Sequence, residues 1–238
     1  MFPGQSVEIP RMARKAATAP AGARRFSPPM QALVDEHQVI LLAIAQIPAA
    51  VAALGRDGGE PQRQTIRDLV DFIREFADRY HHAKEEEILF GYFDGNAEII
   101  QAMRAEHDIG RSHVRAAAEA VEAGDRAAVR QRLTAYGALL TEHIRKEDEI
   151  LYPWMNRQLT DSQVGRLFAQ FQEVDVRFGD RPARYRERVA AWERLLGSGF
   201  GLAHGGPASV PAGFPGNPAF GSSGHGGPPS RRNDKDSS

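Results

Sequence analysis

Residues 80–90 read YHHAKEEEILF, and residues 142–154 read EHIRKEDEILYPW. Aligning HHAKEEEILF with HIRKEDEILY pairs His81 with His143 and Glu85 with Glu147. In each copy the histidine and glutamate stand four residues apart. That spacing puts both on one helical face, roughly 6 Å apart along the axis, where they can grip a shared site. A glutamate in an apolar helical stripe is costly unless it is paired or bound to a cation. His82 and Glu86 have the same spacing, and the register decides between the two pairs. One and two turns before His81 lie Ala77 and Ile73, whereas His82 follows Asp78 and Glu75, a polar face. His81 and Glu85 are therefore the inward pair, and His82 is expected at the surface or behind the ligands.

Working outward, the pattern is helical, with an apolar stripe in steps of three and four. The first stripe runs Met30, Leu33, His37, Ile40, Ile44, Ile47, Val51, Leu54. The second runs Ile66, Val70, Ile73, Ala77, His81, Glu85, Ile88, Tyr92. The third is Ile100, Met103, His107, Gly110, Val114, Ala117, Val121, and the fourth Val129, Leu133, Tyr136, Leu140, His143, Glu147, Ile150, Trp154. Each helix thus presents one histidine inward, and the second and fourth add a glutamate. A lone histidine in such a stripe is usually a hydrogen-bonded core residue. Four of them converging with two carboxylates call for cations. His113 falls off the seam and is expected in solvent.

Helix 1 is expected over about 29–54 with a kink or break at Pro48, helix 2 from about Pro61 to Phe90, helix 3 over 97–123 and helix 4 over 126–152. Gly124 ends helix 3 and Asp125 is a good N-cap. Short loops between long helices predict an all-α, antiparallel, up-down-up-down four-helix bundle over 28–158. A C-terminal helical extension over 159–196 follows, broken at Asp180-Arg181-Pro182 and expected to pack on the bundle. Residues 1–27, basic and rich in Ala and Pro, and 197–238, rich in Gly, Pro and Ser, are expected to be disordered tails. His204 and His225 lie isolated in the second tail.

Composition excludes several classes. There is no cysteine, so no disulfide framework, thiolate nucleophile or iron–sulfur cluster, and a bound metal must rest on nitrogen and oxygen. The net charge of −1 gives no field for nucleic acid. No run reads as long enough to cross a bilayer, and the N-terminus lacks the apolar centre of a secretory signal. The chain is expected in the cytoplasm, with neither nucleic acid nor membrane as partner.

The motifs DEH (35–37), YHHAKEEEILF (80–90), AEHDIGR (105–111) and EHIRKEDEILYPW (142–154) resemble those of the hemerythrin-like family, the HHE cation-binding domains, over about residues 30–155. RAEHDIGRS also resembles VDEHQVILL, so the chain reads as two related helical hairpins around one site. The resemblance implies a centre of two iron ions bridged by carboxylates, with room for an oxo or hydroxo bridge. It assigns the ligands to His37, His81, Glu85, His107, His143 and Glu147. Where the oxygen-carrying branch has a further histidine, this chain has Arg111. It therefore looks like the four-His, two-Glu subset, linked to O2, peroxide or NO chemistry and to iron sensing. Arg111, Tyr136 and His82 are candidates for contacts around the ligands, and no catalytic base is identifiable. The expected partners are a diatomic or peroxide ligand and an unidentified electron donor. The alternative is oxygen or iron sensing or storage without turnover.

Overall fold

The computed structural model describes residues 26–56, 58–95 and 97–197, with side chains up to 194, and every regular element among them is helical. Helix α1 (Pro28–Ile44) starts on two prolines, whose fixed φ suits a first turn. Pro48 has no N–H for the carbonyl of Ile44, so the chain turns at Ala45–Gln46 and resumes as α2 (Ile47–Arg56). Here α5 (Arg126–Lys146) passes close by. A Cβ at Gly137 would stand 3.3 Å from Ile44 Cγ2 and 3.4 Å from Ile47 Cδ1, so glycine is what lets the helices approach.

Helix α3 (Glu60–Phe72) continues without a break into wide π turns over Ile73–His82 and Lys84–Ile88, then a tight turn over Leu89–Tyr92. Helix α4 (Glu98–Ala123) ends on Gly124, whose φ of 73° is the left-handed conformation glycine adopts freely. Asp125 accepts the Ala128 N–H and caps α5 (Arg126–Lys146). A π turn over Glu147–Leu151 leads into α6 (Tyr152–Gln158), so this rod runs past the expected end at Tyr152. Pro153 offers no N–H to the carbonyl four residues back, which favours the wider turn in front of it.

The four rods form the bundle. α1–α2, α3 with its π extension, α4 and α5–α6 each lie beside two of the others. Thr160 and Gln163 form a capping box at the start of α7 (Asp161–Phe178), and α8 (Arg181–Gly197) follows. Both helices of this extension pack on α1 and on the second rod.

The apolar core lies in two parts. One holds Met30, Leu33, Leu89, Phe90, Ile100, Met103 and Leu151; the other holds Ile40, Ile73, Ala77, Val114, Ala117, Leu133 and Leu140. Along each rod the histidines fall between the two parts. Burial thus places a polar layer across the middle of the bundle.

Four sequence expectations need correction. Past the glutamates the buried residues are Leu89 and Leu151, both fully enclosed, whereas Ile88 is only half-buried and Ile150 is 53% exposed. A π turn holds one more residue than an α turn, and it moves the stripe on by one. Phe26, expected in a disordered arm, is buried against the core, and the Ser27 N–H donates to Asn156 Oδ1 at 2.9 Å. The rest of that arm and the tail beyond Gly197, with His204 and His225, lie outside the described residues. Pro28–Arg56 does prove long and apolar enough to cross a membrane, though it is broken at Ala45–Gln46 and buries Met30, Leu33, Ile40, Ile47 and Leu54 in the bundle. Lastly, His82 is buried, at 5% exposure. The π turns over Ile73–His82 bring two consecutive histidines inward where an α-helix would turn one away.

Candidate metal centre

The polar layer brings His37, His81, Glu85, His107, His143 and Glu147 together, each at most 2% exposed. The four imidazoles share one arrangement. The Nδ1–H of His37 donates to Asp148 Oδ1 at 2.8 Å, and that of His81 to Glu36 Oε2 at 3.0 Å. His107 donates to Glu86 Oε1 at 2.5 Å and His143 to Glu106 Oε2 at 2.9 Å. A carboxylate only accepts, so each contact fixes the proton on Nδ1 and leaves the Nε2 lone pair facing inward.

The sequence reading assigns none of these outer carboxylates a histidine to orient, and sets Glu86 only as the competing partner of His82. A signal was present, because each is the chain neighbour of a ligand candidate: Glu36 of His37, Glu86 of Glu85, Glu106 of His107, Asp148 of Glu147. A neighbouring residue points about 100° further round the helix, hence at the adjacent rod. Glu36 reaches His81 across a rod boundary in one hairpin, and Glu106 reaches His143 in the same way in the other. Each of these acids also binds a lysine at equivalent positions, Lys84 to Glu36 and Lys146 to Glu106.

The inner atoms converge. His107 Nε2 and His143 Nε2 are 2.9 Å apart. Glu147 spans the layer, Oε1 lying 3.2 Å from His143 Nε2 and Oε2 3.3 Å from His37 Nε2. Glu85 Oε2 lies 3.5 Å from His107 Nε2 and 3.8 Å from His81 Nε2, while Tyr152 donates to its other oxygen at 2.5 Å. Tyr152, fully enclosed, also escaped the sequence reading. His81 Nε2, Glu85 Oε2 and both oxygens of Glu147 are buried without a hydrogen-bond partner in the protein. Unpaired buried acceptors are strongly unfavourable, and two lone pairs 2.9 Å apart repel. Cations answer both problems. Two sets of donor atoms, each gathered within 4.8 Å, fit one cation apiece: His37, His81, Glu85 and Glu147, and His82, Glu85, His107 and His143. Glu85 belongs to both.

The electrostatics of the metal-free layer agree. Burial opposes charge on His37, but its hydrogen bond to Asp148 and the close negative charge of Glu147 outweigh that and raise its pKa to about 9. For His81 burial and the nearby His37 charge lower it to about 4. Burial, then the Glu147 charge, push Glu85 well up. Glu147 is pulled well down despite burial, by His143 and His37. Protons thus stand in for positive charge where it is wanted.

Arg111 does not touch either inner glutamate. It donates to Asp78, Glu86 and Asp108 at 2.8, 2.8 and 2.9 Å, and so braces the acid that orients His107. Tyr136 is buried with no partner for its hydroxyl. His113 is half-buried and in neither donor set. Arg111, Tyr136, Asp78, Glu106 and Gly110 line a cavity of about 390 Å³ together with His82 and His107.

A family model, the hemerythrin HHE cation binding domain, matches residues 29–155, over half of the chain. No curated relative and no solved structure matches. The chain belongs to the hemerythrin HHE cation-binding family.

Proposed function

We propose that this hemerythrin-family chain holds two iron ions in the polar layer and binds or reduces a small oxidant, O2, peroxide or NO, in the cytoplasm. The single observation that carries the reading is the cavity of about 390 Å³ meeting one donor set at His82 and His107. None of His37, His81 or Glu147 lines it. One cation position is therefore served by a passage for a small molecule, and the other is enclosed. Bound iron would supply Lewis acidity and electron storage. The chain's own part is to hold the imidazoles by their Nδ1–H contacts, keep Glu85 oriented through Tyr152, and admit the ligand past Tyr136 and Arg111. The Tyr136 hydroxyl, otherwise without a partner, can donate to a ligand in the passage.

Iron-loaded protein mixed with peroxide, and separately with NO under reducing conditions, tests this. Turnover of either, lost in His107→Ala, supports oxidant reduction. An intact iron spectrum that no oxidant or diatomic ligand perturbs defeats it. One observation favours sensing without turnover instead. Asp175 of α7, outside the matched domain, accepts from Lys84 Nζ at 2.8 Å and so ties the extension to the acid that orients His81. Metal-dependent protection of α7 from proteolysis, without turnover, would select that reading.

A further inference from the structure

The sequence sets His82 aside, yet it sits where a ligand would. We infer that His82 is itself a cation ligand, a third imidazole for the position framed by Glu85, His107 and His143. The inference rests on the metal reading above and goes beyond the four-His, two-Glu set.

Its geometry is that of an inner group. A ring nitrogen of His82 falls within 4.8 Å of donor atoms from all three of those residues. The ring stacks on His107, with centroids 3.9 Å apart and planes 16° from parallel, and lies edge-on to His143 at 6.0 Å. Its Nδ1 is buried, 3.6 Å from Asp78 Oδ1, too far for a hydrogen bond. Asp78 approaches the same ring nitrogen that Glu36, Glu86, Glu106 and Asp148 hold on the other four, without reaching it. Arg111 cannot serve instead, because a guanidinium offers donors only and three carboxylates already occupy this one.

As a ligand, His82 makes the two positions unequal. The cavity side has three imidazoles and the shared Glu85; the enclosed side has two imidazoles and two carboxylates. His82 and His107 both line the cavity, so a molecule arriving there meets the nitrogen-rich position.

Cobalt(II) titration of the full chain tests this, because its visible bands report the number and type of donors. The unsubstituted protein should bind two equivalents. His82→Ala should bind one as before and the other at least about 10-fold more weakly, with altered bands. Added imidazole should restore both the affinity and the spectrum. His82→Gln, which preserves more of the packing, should show the same loss and serves if the alanine variant does not fold. A folded His82 variant that binds two equivalents with the parent's affinity and bands overturns the inference. So does a weakened variant that imidazole leaves unchanged, because His82 would then be only a packing residue. If the unsubstituted protein binds no cobalt, the metal reading itself fails, and this inference with it.

Discussion

Glu147 buries both of its oxygens against imidazole nitrogens with no hydrogen bond to either, and no neutral core would tolerate it. Replacing it or Glu85 by Ala should therefore lose metal and soften the bundle, while His113→Ala keeps the full complement. Metal analysis of the purified variants decides this. Tyr152→Phe should retain metal, because the hydroxyl donates to Glu85 and so acts through it, but should shift the optical spectrum. An unchanged spectrum would make that contact incidental. His37 gives the pH dependence. Its pKa lies at about 9 in the metal-free fold against an ordinary 6.5. A raised value stabilises fully below 6.5 and is lost as pH climbs through 9, so this group should lower the melting temperature of metal-free protein across that window. A cation must displace the same proton, so metal affinity should rise over the same range, with protons released on binding. Calorimetry in two buffers of different ionisation enthalpy counts them. His81, at about 4, is neutral throughout and adds nothing to either effect.

At the scale of the helix, the π turns decide which residues face the core. Leu151→Ala should cost about 2–5 kcal/mol, the usual range for a buried leucine, and Ile150→Ala within about 0.5 kcal/mol. Denaturant unfolding of both, in the metal-loaded state, separates the observed register from an unbroken α-helical one, which would reverse the order. This is also where sequence reading lost its hold. A period near 3.6 places His37, Ile40, Ile44 and His107, Gly110, Val114 on the right faces, because α1 and α4 are regular helices. It also places Ile73, Ala77, His81 and Glu85 inward. It mislays His82, Leu89 and Leu151, because an inserted residue leaves no mark in a pattern of apolar steps. The outer acids were within reach of a second question, namely what each ligand's chain neighbour faces on the adjoining rod. Lys84 was not. A lysine at 1% exposure is explained by Glu36 and Asp175, far off in the sequence, and by the Tyr80 ring, whose centroid lies 3.7 Å from Nζ.

Across the whole molecule, α7 completes the surroundings of His81. Asp175 accepts from Lys84 and from the Tyr80 hydroxyl at 2.7 Å, Lys84 donates to Glu36, and Glu36 orients His81. Asp175 is half exposed, so Asp175→Ala should cost only about 1–2 kcal/mol. Lys84→Met should cost about 3–5 kcal/mol, because it removes the cation from a buried carboxylate. Thermal melts of both variants check the ordering. A chain spanning 26–197, which keeps Phe26 and Ser27 on the bundle, should retain the metal content and spectrum of the whole protein. The account stands or falls on what the layer holds. Iron analysis of the purified, reconstituted protein, read beside Glu147→Ala, is the most direct measurement. We predict close to two iron atoms per chain in the parent and a clear loss in the variant. A parent that takes up no iron, or a variant that holds as much as the parent, would contradict it.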